Sequence, residues 1–258
     1  MSKIYYIPQD EEQKDLLQLD SIMQEKRASE RLIVLLLGSG GRESAMAWRI
    51  ATSPEVEQLY IAPGNGGSEI YGINVPELSG KDFDAIAEFI ASHGVNLLVS
   101  GPEEPLVQGI ADYFAERKED FPQLMVVGPN AQGAQLEGSK DFSKAFMQRY
   151  GIPTASYRTF AANEKSEAVA YLQSLHPPFV LKADGLAAGK GVLIVPTLEE
   201  AAEGFDDLAE GIWGSKGQKI VIEEFLQGIE CSIFVATDGV NYKVLPAAKD
   251  YKRIGDGD

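Results

Sequence analysis

"RLIVLLLGSGGRESAMAWRIATS" occupies residues 31–53. Its first part, Leu32 to Leu37, is apolar without alternation, which marks a strand covered on both faces rather than one. Glycines follow, and apolar residues then recur at helical spacing. The stretch therefore reads as buried strand, tight turn and helix, the opening unit of a parallel α/β sheet.

Working outward, the same grammar repeats. "VEQLYIAPGN" (56–65) is a second strand ending in a turn, and "FDAIAEFIASHG" (83–94) has a helical period. "VNLLVSGPEEPL" (95–106) is a third strand running into a loop, "ADYFAERKED" (111–120) a helix, and "LMVVGPN" (124–130) a fourth strand. Strands alternating with helices predict a doubly wound parallel sheet over about 32–130, with its ligand at the carboxyl ends of the strands. Three turns fall at that edge: Gly38–Glu43, Pro63–Asn65 and Gly101–Glu103.

The first turn fails as a dinucleotide fingerprint. After Gly38 and Gly40 the third glycine position is Glu43, and the second strand ends in Ala62-Pro63-Gly64 without a ribose-binding acid. Nicotinamide cofactors are disfavoured on that ground. A glycine turn opening a helix still offers free N–H groups to an anion, with simple packing as its other reading.

The pattern changes from about 131. "SKDFSKAFMQRYG" (139–151) is an amphipathic helix and "IPTASYRTF" (152–160) an edge strand; "SEAVAYLQSL" and "LEEAAEGFDDLA" are helices around strands "FVLKAD" and "VLIV". "KIVIEEFL" (219–226) and "IECSIFVATDG" (229–239) are expected to pair antiparallel, with "YKVLPAAKDYK" (242–252) as a third strand. This is an α+β region, a second domain over 131–258.

Inside it lies "KADGLAAGKGV" (182–192). A P-loop needs four residues between its glycines and a Ser or Thr after the lysine. Here Gly185 and Gly189 enclose three, and Lys190 precedes Gly191. The alternative is a strand lysine, Lys182, presenting charge at fixed depth beside a loop of backbone donors. Lys140 opens a helix, and "EEFL", Glu223 to Leu226, ends a strand whose backbone can meet an adenine edge; Glu230 lies just beyond.

Composition narrows the partners. The net charge is −16, against a nucleic-acid footprint, which needs clustered cations. Cys231 is the only cysteine, so no intrachain disulfide forms. No apolar run reaches the ~18 residues that span a bilayer. A cytoplasmic protein without membrane or nucleic-acid partners is expected, its oligomeric state unread. Residues 1–31 are polar, with Leu16, Leu17, Leu19, Ile22 and Met23 at roughly helical spacing, and read as a mobile arm.

Together "GSGGRE", "APGN", "GPEEPLVQGI", "LEGSK", "YGIPTA", "LKADGLAAGKGV", "VIEEFLQGIE" and "KDYKRIGDGD" resemble the glycinamide ribonucleotide synthetase (phosphoribosylamine–glycine ligase) family of ATP-grasp enzymes. The resemblance runs from about 32 to 258. It implies ATP-dependent ligation of glycine to 5-phosphoribosylamine through glycyl phosphate, in purine synthesis. By that resemblance Lys140 and Lys182 contact ATP phosphates, and Gly185, Gly189, Lys190 and Gly191 close over them. Glu223, Glu224, Phe225 and Leu226 take adenine, and Glu230 the ribose. Gly40, Gly41, Arg42, Glu43, Pro63, Gly64, Asn65, Gly101, Pro102 and Glu103 line the phosphoribosylamine pocket. Asp250, Lys252 and Arg253 lie near the reacting groups as the catalytic set.

Two departures stand out. Ser44 replaces the histidine of the family's "GGREHA". The family's "NTGGMG" segment and its ligands for Mg2+ or Mn2+ do not occur within the 258 residues, so no metal ligand is assigned. A C-terminally truncated, incomplete ATP-grasp domain, inactive by itself, is the expectation; a non-catalytic nucleotide-binding or regulatory fragment is the alternative.

Overall fold

A computed structural model describes residues 31–186 and 191–249, in two compact units that divide between Ser143 and Lys144. The expected N-terminal arm, Gly189, Lys190, Asp250, Lys252 and Arg253 lie outside the described residues.

The first unit holds a five-stranded sheet: β1 (Leu32–Gly38), β2 (Val56–Pro63), β3 (Ile73–Asn74), β4 (Leu97–Ser100) and β5 (Met125–Val127). Their order is β3-β2-β1-β4-β5 and every pair is parallel. The uninterrupted apolar run of β1 is explained by its central place. Leu35 and Leu37 enter one core with Ile86, Ile90, Leu98, Ile110 and Phe114. Val34 and Leu36 enter another with Ala47, Leu59, Ile61 and Val99. Helix α1 (Gly41–Ala51) supplies the second core, and α2 (Phe83–His93) and α4 (Ile110–Glu116) the first. Helices thus cover both faces, as a parallel sheet requires.

Local chemistry sets the ends. Asp82 caps α2 by accepting the Ala85 N–H at 3.0 Å, and Gly94 closes it at φ +63°, a left-handed geometry natural to glycine. Two helices escaped the sequence pattern: α3 (Glu104–Val107), in what reads as loop, and α5 (Ala131–Gly138). The second is nearly without apolar periodicity, and Asn130 caps it by accepting from the Gly133 N–H at 2.8 Å.

α6 (Lys140–Arg149) runs across the division. The second unit then forms a four-stranded sheet from β6 (Tyr157–Phe160), β7 (Phe179–Ala183), β8 (Val192–Val195) and β9 (Ile220–Glu223), in the order β6-β9-β7-β8. All its pairs are antiparallel, and "IPTASYRTF" does supply an edge strand. Leu181, Ala183, Ile220, Ile222 and Phe160 face α7 (Lys165–Leu172) and α8 (Leu198–Glu210), burying Ala168, Leu172, Ala201, Phe205 and Leu208.

One pairing expectation is corrected. β9 pairs with β6 and β7, not with the segment after it. That segment turns to its own downstream strands: β10 (Cys231–Ser232) pairs with β13 (Ala248–Lys249), and β11 (Val235–Thr237) with β12 (Tyr242–Val244). The wholly apolar Ile220–Ile222 belongs inside a sheet, and two neighbours on its ladder leave no free edge.

Candidate functional site

In the first unit the three predicted turns meet at the carboxyl edge. The Gly64 N–H donates to Gly38 O at 3.1 Å, and the Gly101 N–H to Leu37 O at 3.0 Å. Asn65 ties the second turn to the first: its Nδ2 donates to Ser39 O at 2.8 Å, and its Oδ1 accepts from Ser44 Oγ at 2.9 Å. The unexpected Ser44 is therefore a working part of the turn. β3, which the sequence pattern did not reveal, sends Asn74 Nδ2 to Asn65 O at 2.8 Å.

Glu43 is the centre of this assembly. It is 4% exposed, accepts the Gly40 N–H at 2.6 Å, and pairs with Arg42 Nε at 2.9 Å. Its side chain fills the space that glycines leave: a Cβ on Gly38 would lie 2.5 Å from Glu43 Cγ, and one on Gly101 equally 2.5 Å. What reads as a broken fingerprint is a carboxylate seated where the third glycine would stand. Burial alone would raise its pKa, but the donors from Arg42 and Gly40 outweigh that and hold the carboxyl below its ordinary value. Arg42 reaches on to Glu103 at 3.5 Å.

Beside these turns lies a cleft of about 360 Å³, with Gly38, Pro63 and Pro102 on its wall. Ser79, Gly80 and Lys81 also line it, and Lys81 Nζ pairs with Glu104 at 2.9 Å. Sequence reasoning missed the Pro76–Lys81 segment. No strand or helix pattern marks it, and only the fold brings it to the edge.

In the second unit β7 and β8 form the hairpin that carries the glycine loop, with Lys182 opposite Val192 at its mouth. The Ala183 N–H donates to Gly191 O at 2.8 Å, and Gly185 adopts φ +94°. Period-two alternation puts Lys182 and Glu223 on the sheet face opposite α7 and α8. There Lys182 Nζ pairs with Glu223 Oε1, and Lys144 Nζ with Glu223 Oε2.

Glu223 is 4% exposed, so its side chain is neither a surface charge nor part of an open hinge. It closes β9, and the chain leaves regular structure at Glu224. Glu224 Oε1 accepts the Ser156 N–H at 2.8 Å, and these Ser156 bonds hold its carboxyl below the ordinary value. Phe225 is half-buried, and Leu226 and Glu230 are exposed. Lys140 opens α6, with Ser139 Oγ accepting the Phe142 N–H one turn in at 3.1 Å.

Lys144 escaped the sequence analysis. It is 8% exposed, donates to Thr154 Oγ1 at 2.8 Å, and stands over the Tyr157 ring at 5.5 Å. Burial pulls its ammonium below the ordinary lysine value, against the charge of Glu224. Its spacing of four from Lys140 is the only signal the sequence carries.

Among the described residues no helix is long and apolar enough to cross a membrane, and no group of three or more His, Cys, Asp or Glu side chains is gathered to hold a metal ion.

A doubly wound parallel unit followed by an antiparallel sheet with a lysine and glycine-loop hairpin is the architecture of the ATP-grasp enzymes. Carboxyaminoimidazole ribonucleotide synthase from Aspergillus clavatus, solved in complex with ATP, shares the fold with a TM-score of 0.63. It is 18% identical, with 87% of this chain and 55% of that one covered. The match to family models is specific. The N domain of phosphoribosylglycinamide synthetase covers residues 32–137 and its ATP-grasp (A) domain residues 138–258.

The chain belongs to the phosphoribosylglycinamide synthetase family. A phosphoribosylamine–glycine ligase of a Nostoc species is 46% identical over 227 residues, covering 87% of this chain and 52% of that protein. The crystal structure of the Thermotoga maritima phosphoribosylamine–glycine ligase superposes with a TM-score of 0.66 at 34% identity, covering 88% of this chain and 52% of that one. The chain spans about half the length of the curated relatives it matches.

Proposed function

We propose that the second unit binds ATP and that the protein takes part in ATP-dependent ligation of glycine to 5-phosphoribosylamine, a step of purine synthesis. The observation that carries this is Lys182 at the last register pair of the β7–β8 hairpin, opposite Val192 and three residues before Gly185, with its side chain 30% exposed. A strand lysine and glycine-loop amides suit a polyphosphate: one supplies charge at fixed depth, the others N–H donors. Gly185 at φ +94° gives that loop a backbone turn that other residues rarely adopt.

In the proposed reaction a glycine carboxylate oxygen attacks the γ-phosphorus, the bond to the β-phosphate oxygen breaks, and ADP leaves. The phosphoribosylamine nitrogen then attacks the acyl carbon. Phosphate departs with the C–O pair, and the nitrogen loses a proton. No protein nucleophile is needed, so the chain's own residues act by positioning and charge. Lys182, with Lys140, holds the phosphates; the chain from Glu223 to Leu226 meets adenine through its backbone, and Glu230 the ribose. Gly40–Glu43, Pro63–Asn65 and Gly101–Glu103 take the phosphoribosylamine, and Asp250, Lys252 and Arg253 are assigned to the catalytic set by the family resemblance alone. Magnesium or manganese, when bound, offsets charge on the phosphates. A cytoplasmic location goes with this reading.

Calorimetric titration with ATP tests the site. Lys182→Met is expected to weaken binding on the order of a hundredfold, the loss of one charge-assisted contact. Unchanged affinity overturns the phosphate role. On a protein extended to the full length of the curated relatives, ADP release that requires both glycine and phosphoribosylamine supports the substrate pair, and release indifferent to either sinks it.

A further inference from the structure

We infer that Lys144 is a positioning residue of the nucleotide site, keeping Glu223 neutralised so that Lys182 can turn to phosphate. The inference rests on the ATP reading of Lys182 given above. Glu223 is 4% exposed and divides its two oxygens between two lysines. The lysines are not equivalent. The Lys144 side chain is 10% exposed and also donates to Thr154 Oγ1 at 2.8 Å and Ala155 O at 3.3 Å. The Lys182 side chain is 30% exposed and stands at the mouth of the glycine hairpin.

Of the two, Lys182 is the one placed to leave. A buried carboxylate left without a cation carries a large desolvation penalty, so a Lys182–Glu223 pair alone would hold its lysine against the ligand. With Lys144 fixed on the other oxygen, Glu223 keeps a counter-charge after Lys182 moves.

The test is a double-mutant cycle on the full chain, read as ATP dissociation constants by calorimetry with folding checked by circular dichroism. Lys144→Met is expected to weaken ATP on the order of tenfold, whereas Lys144→Arg, which keeps the charge, stays within about threefold of the parent. In a Glu223→Gln background Lys144→Met should cost at most about threefold, because no buried charge then holds Lys182 back. Equal losses in both backgrounds, or no loss in the parent, overturn the inference; a merely structural lysine gives the first result. Should Lys144→Met not fold, Lys144→Gln removes the same charge while retaining donors for Thr154 and Ala155. Failure of the underlying reading looks different: the parent does not bind ATP, or Lys182→Met binds it as the parent does.

Discussion

Two buried glutamates, one in each unit, solve the same problem in opposite ways. Glu43 and Glu223 are each 4% exposed, and each stands beside a glycine-bearing turn. Glu43 is satisfied from within, by the Gly40 N–H and Arg42, and it occupies the helix N-terminus that would otherwise offer donors to an anion. Glu223 is satisfied by two lysines, one of them partly exposed. The first arrangement ties its carboxylate to the turn itself and braces it. The second holds a partly exposed lysine beside a loop. A glycine turn is thus a cradle or a brace according to where its nearest carboxylate points.

The largest expected effect breaks the second arrangement. Glu223→Ala removes the buried carboxylate that both lysines pair with, and is expected to destabilise the second unit by about 3 kcal/mol. Native-state hydrogen exchange reads the loss locally: β6, β7 and β9 should lose protection while β1, β2 and β4 keep theirs. Glu43→Ala should do the reverse. It leaves the Gly40 N–H without its acceptor, takes from Arg42 its nearer partner and opens a void under the Gly38 and Gly101 turns, for about 2 kcal/mol in the first unit. Equal effects of either substitution on both units would remove the contrast.

Much of this was legible in the sequence, and what was not has a common cause. The apolar runs of β1, β2, β4 and β5 report burial on both sheet faces, and periodicity reports α1, α2 and α8, since these signals are local. The strand lysine and its loop were legible as an apolar run ending in Lys182 before a glycine run, and the family resemblance added their roles. The surroundings of the two carboxylates were hidden because part of what packs on each is remote in sequence. Glu223 meets Lys182 across 41 positions and Lys144 across 79, and only the register of β7 on β9 puts them on one face. Glu43 looks like a fault in a glycine pattern until Gly101 closes on it from 58 residues away. β9 was paired with the wrong strand for the same reason: adjacency in sequence was a poorer guide than its wholly apolar face demand.

The coupling between Glu43 and its glycines can be measured directly. Gly101 carries no left-handed backbone, so an added methyl is opposed by contact alone, 2.5 Å from Glu43 Cγ. Gly101→Ala should cost about 1–2 kcal/mol in the parent, the usual penalty of overpacking, and far less in a Glu43→Ala background. Additive losses would mean that the methyl meets something other than this side chain, and the brace would lose its keystone.

The smallest effect expected is a matter of pH. The Glu43 carboxyl is held below its ordinary value of 4.5 in the folded protein, so the native state binds its proton less readily than the unfolded chain does. Its contribution is therefore complete above the unfolded value and is lost as pH falls below 4.5 through the depressed folded one. Many other carboxyls titrate in that window, since the chain has 39 Asp and Glu residues, so total stability against pH cannot isolate this one. The comparison of the parent with Glu43→Gln can. The amide still accepts from the Gly40 N–H but does not titrate over this range. The stability gap between the two should be widest at neutral pH and narrow on acidification. A gap that stays constant from neutral pH to below 4 would show that the carboxylate's charge does nothing there beyond what a neutral acceptor does.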